Sequence, residues 1–172
     1  MKTIKFFLYL TLTLSLTALT GCDSDDDDDP APTGNGSMSA TVEGNDWNAN
    51  VAVQATYITQ GGTNALTVVG SSDQGEGLST TISLNLLNVT GTGTIAVDGS
   101  NLTNLSSASY AIANSTSAND AEVYNSVGNS GQVTITELTE TRVSGTFTFV
   151  GSEATGGTGT RTITDGEFSV NF

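Results

Sequence analysis

Apolar and polar residues alternate with a period of two along most of this chain, from Ser37 to its end. Successive side chains of a β-strand point to opposite faces, so this period predicts strands with one buried face, whereas a helix would show a period of about 3.6. No window with the helical period lies between the alternating runs. The sequence therefore predicts an all-β domain over residues 37–172.

The alternating runs are short and are separated by residues typical of turns. A first hairpin is predicted from residues 38–42 and 47–55, around a turn at 43–46. Further strands are predicted at 65–70, 80–87, 94–97, 109–113, 132–138, 143–150, 160–164 and 168–172. About nine to ten short strands indicate an antiparallel β-sandwich or a flattened barrel. The largest apolar-face side chains are predicted to form its core: Trp47, Tyr110, Phe147, Phe149 and Phe168.

Residues 1–21 have the parts of a bacterial lipoprotein signal peptide. Lys2 and Lys5 give a positive start, an apolar stretch runs over residues 6–19, and two small residues precede Cys22. This pattern predicts cleavage before Cys22 and attachment of lipid to its thiol. An ordinary secretory signal beside a free cysteine and a retained anchor helix are the alternatives. The leader is short and rich in threonine for a spanning helix, which needs about 20 mostly apolar residues.

Residues 22–36 form an acidic segment that is predicted to be a disordered, extended tether. It holds five consecutive aspartates at 25–29 and two prolines, Pro30 and Pro32. It could be a solvated spacer, a sorting signal or a weak calcium-binding tract, which we rank lowest. We favour sorting, because acids after a lipidated cysteine resemble the surface-export tag of Bacteroidota lipoproteins. In enterobacteria, an aspartate at this place indicates retention in the inner membrane.

The chain after the leader is strongly acidic. Its only basic residues are Arg142 and Arg161, against 18 aspartates and glutamates, which gives a formal charge of −16. A surface of this charge repels phosphate backbones and anionic headgroups, which argues against nucleic acid as a partner. Attachment to a membrane would therefore depend on the lipid at Cys22.

The chain lacks the residues that most catalytic mechanisms require. The chain has no histidine and, beyond the leader, no lysine, so Ser-His-Asp, Cys-His and Schiff-base mechanisms are unavailable and the usual zinc sites lack ligands. The glycine-rich stretches at 91–94 and 156–159 are predicted to be turns. Two carboxylates in a cleft could still hydrolyse glycosides. Glu137 and Glu140 flank a predicted tight loop, where a solvated hairpin end is the simpler interpretation.

The segment 114–130 is predicted to be the longest loop, and it contains Asp120, Glu122 and Tyr124. Loops on a rigid β scaffold often carry binding functions. Its oxygen atoms could bind calcium, yet the spaced D-x-[DN]-x-[DN]-G pattern is absent. We predict no catalytic residue, no cofactor and no metal site.

Several stretches resemble an uncharacterised lipoprotein domain family that is common in Bacteroidota. Residues 39–49 (SATVEGNDWNA) are similar to its opening ATVDGxxWxA. Its closing elements GSVTIT, RVSGTFSF and VTNGSFNV resemble residues 131–136 (GQVTIT), 142–149 (RVSGTFTF) and 163–170 (ITDGEFSV). The resemblance implies an all-β lipoprotein of the cell envelope with no assigned activity, and it supplies no catalytic residues.

Together these observations predict a monomeric, lipid-anchored β-domain at the outer membrane, exposed on the cell surface. It would act as a non-catalytic binding or structural module with an envelope protein or a glycan as partner. A small carboxylate-dependent, glycan-acting enzyme and a lipocalin-like carrier stay open as alternatives. Two carboxylates about 5 to 10 Å apart in a cleft would favour the enzyme. An apolar cavity of about 300 Å³ or more would favour the carrier.

Overall fold

The computed structural model describes residues 35–99, 105–116, 121–154 and 157–172. These residues form ten β-strands and no helix, which confirms the predicted all-β class and number of strands. The signal peptide, Cys22 and nearly all of the tether lie outside the described residues. The strands are β1 (Gly36–Val42), β2 (Asn45–Asn48), β3 (Ala52–Gln60), β4 (Thr63–Gly75), β5 (Leu78–Leu87), β6 (Gly93–Val97), β7 (Ser107–Asn114), β8 (Glu122–Leu138), β9 (Arg142–Glu153) and β10 (Thr160–Asn171).

The strands form one antiparallel sheet in the order β2-β1-β10-β9-β8-β7-β5-β4-β3, and β6 pairs with β8 beside this path. The sheet curls, so that β3 at one end comes within 8 Å, Cα to Cα, of β1 and β10 near the other end. Among the described strands, none is hydrogen-bonded to the outer edge of β3. The curled sheet therefore stays open along this line, which we call the seam.

Strand β8, 17 residues long, links the two halves of the sheet. Its residues 122–125 pair with β7 and its residues 131–135 pair with β6, while β9 runs along its other side. The change of partner falls at a break in register between Ser126 and Gly131, where four residues of β8 lie opposite Val150 alone. Gly128 and Asn129 have positive φ there, so the strand leaves its extended path at this point.

Apolar side chains fill the inner face of the curled sheet. All five large side chains predicted for the core lie there, each 6% exposed or less: Trp47, Tyr110, Phe147, Phe149 and Phe168. The indole N–H of Trp47 donates to the Thr80 hydroxyl at 2.8 Å, so the polar atom of this buried ring is paired. No buried side-chain nitrogen or oxygen lacks a partner within the described residues.

Phenylalanines of the core stand opposite glycines in the neighbouring strands. The cross-strand pairs are Phe149 with Gly131, Phe168 with Gly145 and Phe147 with Gly166. A Cβ atom added at Gly166 would lie 2.5 Å from the Phe147 ring. Glycine is therefore needed at this position because the ring occupies the space of a side chain.

The prediction of one strand over residues 47–55 is wrong. The chain leaves β2 after Asn48 and enters β3 at Ala52, at the opposite end of the sheet. Trp47, Ala49 and Val53 are nevertheless all buried in one core. Val51, at the break, is 44% exposed although it stands in the same alternating set. The apolar alternation of the sequence runs through the break, so periodicity alone could not detect it.

The prediction of a long loop over residues 114–130 is also wrong for most of its length, because β8 already begins at Glu122. Tyr124 is 3% exposed and belongs to the core. Ser126 is fully buried, and its hydroxyl accepts a hydrogen bond from the Ala108 N–H at 3.0 Å. This part of the strand was not predicted because Ser126, at an inward position, interrupts the apolar alternation.

Candidate functional site

The seam carries an open groove of about 670 Å³. Strand β3, the turn between β8 and β9, and the C-terminus supply its walls. We call it the seam groove, and its lining residues are Ala55, Thr56, Tyr57, Leu138, Thr139, Glu140 and Phe172.

Two aromatic rings form the apolar wall of the seam groove. The ring centroids of Tyr57 and Phe172 lie 6.1 Å apart, with 33° between the ring planes. The Tyr57 hydroxyl donates to the Val89 carbonyl oxygen at 2.8 Å, and the Phe172 N–H donates to the Thr141 carbonyl oxygen at 3.0 Å. Both residues are thus held in place, while Phe172 stays 38% exposed. Its ring is available to a ligand.

The facing wall comes from the turn between β8 and β9. Leu138 packs partly buried against the core, and Thr139 fixes the turn because its hydroxyl accepts the Arg142 N–H at 3.0 Å. Glu140 is exposed and has the one charged side chain among the seven residues that line the groove. The groove therefore combines apolar walls with hydroxyl groups and a single acidic side chain.

A second groove of about 340 Å³ continues along β3. It is lined by Asn35, Val53, Gln54, Ala55, Thr56, Asn171 and Phe172. Ala55, Thr56 and Phe172 line both grooves, so the two grooves adjoin and together form a depression beside the free edge of β3.

A polar groove of about 490 Å³ lies on the outer face of β8, β9 and β10. Its lining residues are Gln132, Thr134, Thr146, Phe147, Thr148, Thr164, Asp165, Gly166 and Glu167. The hydroxyls and two carboxylates could hydrogen-bond to a polar ligand. Phe147 is only 3% exposed, so this groove offers no aromatic surface for stacking.

Tyr124 lies in a small cluster of charged groups. Its hydroxyl donates to a Glu122 carboxylate oxygen, and the Arg161 guanidinium carbon lies 4.8 Å from its ring centroid. The hydrogen bond to Glu122, followed by burial, raises the pKa of Tyr124 above its usual value. A phenol is activated as a nucleophile by a lowered pKa, and this arrangement shifts the pKa of Tyr124 in the opposite direction.

The structure separates the surroundings of the two glutamates singled out in the sequence. An exposed carboxylate oxygen of Glu137 lies 3.5 Å from Nε of Arg142, whereas Glu140 lines the seam groove. Asp120 lies outside the described residues. Across the described part of the chain, no group of three or more Asp, Glu, Cys or His residues could hold a metal ion.

The seam groove was not predicted from the sequence. Tyr57, Leu138 and Phe172 come from distant parts of the chain and meet only because the sheet curls. The sequence feature that could have indicated the groove is β3, whose nine residues include no charge and no proline. Such a strand is unusual at the edge of a sheet.

The fold and its groove define an all-β domain with an open curled sheet and a candidate ligand site at the seam. The chain belongs to the family described as domain of unknown function DUF6252, whose profile matches residues 34–170. This confirms the predicted membership of an uncharacterised domain family. No curated protein and no solved structure matches the chain. Within the described residues, no helix has the length and apolar character to cross a membrane.

Proposed function

We propose that this protein is a lipid-anchored, non-catalytic binding module of the cell envelope, with the seam groove as its binding site. Anchoring rests on the signal-like leader and on the position of Cys22. Outer-membrane location and exposure at the cell surface rest on the resemblance of the acidic residues after Cys22 to a surface-export tag. Binding rests on the seam groove.

The observation that carries the binding proposal is the fixed aromatic wall of the groove. Phe172 exposes 38% of its surface although hydrogen bonding holds its backbone in place. A ligand that covers this ring would remove apolar surface from water without first ordering the site. One acidic side chain, Glu140, borders the groove, whereas glycoside hydrolysis uses a pair of Asp or Glu side chains, which supports binding rather than such catalysis.

An apolar carrier is the second candidate function, because the groove volume of about 670 Å³ exceeds the size that such a ligand needs. The groove is open along its length, so a small apolar ligand would remain partly in water. An extended ligand that also meets the hydroxyl rim suits this shape better.

The binding proposal is tested with the mature chain, residues 22–172, carrying Cys22→Ser so that no lipid is attached. An apolar, environment-sensitive dye should bind, and Phe172→Ala should weaken its binding about tenfold, which corresponds to about 1.4 kcal/mol. Val150→Ala is the matched control, because Val150 is 37% exposed and lies outside the grooves. Equal dye binding by the two variants would contradict the proposal.

The anchoring proposal is tested by metabolic labelling with palmitate in a bacterial host that processes lipoproteins. The wild-type chain should incorporate label and fractionate with membranes, whereas Cys22→Ser should do neither. A wild-type chain without label would remove the basis for a lipid anchor.

A further inference from the structure

We infer that the seam groove binds an extended, basic segment of another protein, which pairs with β3 as an additional strand. The inference rests on the proposed function, because it names the ligand class for the same groove. Three observations carry it: the free edge of β3, the depression that follows this edge, and the charge of the domain.

The outer edge of β3 is open to hydrogen bonding. All nine residues of β3 pair with β4, from Ala52↔Ser71 to Gln60↔Thr63, without a register shift. The N–H and C=O groups of a strand point alternately to its two edges, so about half of those in β3 face the seam. Edge strands are usually protected by charges, proline, bulges or short length, and β3 has none of these.

The depression beside β3 is long enough to hold a short β-strand. The two adjoining grooves follow β3 from Val53 to Tyr57, a length of about 17 Å for five residues at about 3.4 Å each. A strand paired with β3 would lie about 4.8 Å from it, so β1 and β10, which come within 8 Å of β3, would move apart where the strand binds. Its alternate side chains would then point towards the Tyr57 and Phe172 rings, and the others would point to solvent.

Three segments could pair with β3: the chain's own tether, a second copy of the chain, or a basic segment of another protein. The charge of the chain distinguishes them. The chain's own tether precedes Asn35 at the second groove, but its five aspartates and its two prolines, which lack N–H groups, disfavour pairing there. A second copy is disfavoured because residues 35–172 contain 12 acidic residues and two arginines, so two copies repel each other. A basic segment with apolar residues at alternate positions is attracted by this charge and by Glu140 at the rim.

The experiment uses the mature Cys22→Ser chain and a capped nine-residue peptide in which lysine and valine alternate. NMR spectra of the ¹⁵N-labelled chain should show shifts concentrated in β3 and at Phe172. Replacing every lysine of the peptide by glutamate should weaken binding at least tenfold, and Phe172→Ala should weaken it while Val150→Ala does not.

Two methylated peptides separate strand pairing from simple apolar contact. One carries N-methyl groups on every valine amide and the other on every lysine amide. Only one set of amides can face β3, so one methylated peptide should bind at least tenfold more weakly while the other binds like the parent. Equal binding of both to the chain, or no binding of the parent at about 1 mM, would overturn the inference.

The outcomes also separate this inference from the proposed function. Dye binding that depends on Phe172, without peptide binding, would reject the strand and keep the groove as a site. Absence of both would reject both. A dimer in sedimentation experiments whose contacts map to β3 would identify a second copy as the occupant and overturn the inference.

Discussion

Glycine and phenylalanine act as pairs in the core of this domain. Phe147 lies over Gly166, and the ring occupies the volume that a side chain at residue 166 would fill. Interiors are packed closely, so neither partner can change size alone without strain or a void. This explains at the level of single residues why glycine occurs within these strands although it weakens a strand intrinsically.

The first prediction concerns Gly166→Ala. Its Cβ would overlap the Phe147 ring, so the free energy of unfolding should fall by about 1 to 3 kcal/mol. Gly91→Ala is the control, because a Cβ there meets no atom within 4 Å and should change stability by less than about 0.5 kcal/mol. Urea denaturation of both variants measures the difference, and equal midpoints would refute the packing argument.

The second prediction concerns Phe147→Ala, which removes a ring that is 3% exposed. Loss of its contacts and the remaining void should destabilise the domain by about 3 to 5 kcal/mol. Since domains of this size are stable by about 5 to 15 kcal/mol, much of this margin would be lost. A loss below about 1 kcal/mol in urea denaturation would mean that Phe147 is not in the core.

The third prediction concerns Tyr124, whose pKa is raised by its hydrogen bond to Glu122 and by burial. The unfolded chain ionises this phenol at a lower pH than the folded chain does. Its contribution to stability is therefore present below about pH 10 and is lost as the pH rises towards the folded-state pKa. Tyr124→Phe should make the alkaline loss of stability less steep.

Denaturation of both forms at several alkaline pH values tests this prediction. Some pH dependence should remain in the variant, because burial also raises the pKa of Tyr110. Identical slopes for wild type and variant would show that Tyr124 does not contribute.

At the level of elements, the alternation of residues predicted most strands but not their connections. The core faces of β9 and β10 could be predicted because large apolar residues stand at alternate positions, Phe147 and Phe149 in β9 and Phe168 and Val170 in β10. The break between β2 and β3 could not be predicted, since residues on both sides of the break contribute to one core. The seam groove could not be predicted either, because it depends on how far the sheet curls.

The fourth prediction concerns the unprotected edge strand β3. Ile58 is 53% exposed, so Ile58→Lys should change the free energy of unfolding by less than about 0.5 kcal/mol. A lysine on an edge strand disfavours pairing between chains, so aggregation during heating should decrease. Light scattering during a thermal ramp measures this, with Ile58→Val as the control. Unchanged aggregation would show that β3 is not the edge through which chains associate.

At the scale of the whole molecule, the start and the end of the described domain are joined by a hydrogen bond. The described chain starts at Asn35, whose carbonyl oxygen accepts the Asn171 N–H at 2.9 Å and so ties the start of β1 to the end of β10. Most outward positions of the sheet carry threonine, serine or asparagine, which suits contact with water.

The fifth prediction follows: a chain that begins at Asn35 should be a soluble monomer in buffer without detergent, with a β-type far-ultraviolet spectrum. Sedimentation and circular dichroism measure the two properties. Recovery of this chain only with detergent would contradict the described arrangement of polar and apolar faces.

Asn35 lines the second groove together with Phe172, so the polypeptide enters the domain beside its candidate binding site. Residues 22–34 can span at most about 45 Å. A lipid on Cys22 would therefore keep the groove near the bilayer surface in every orientation of the domain. Any partner held in the same membrane would meet the groove at a high effective concentration, so that weak contacts along β3 suffice for stable association.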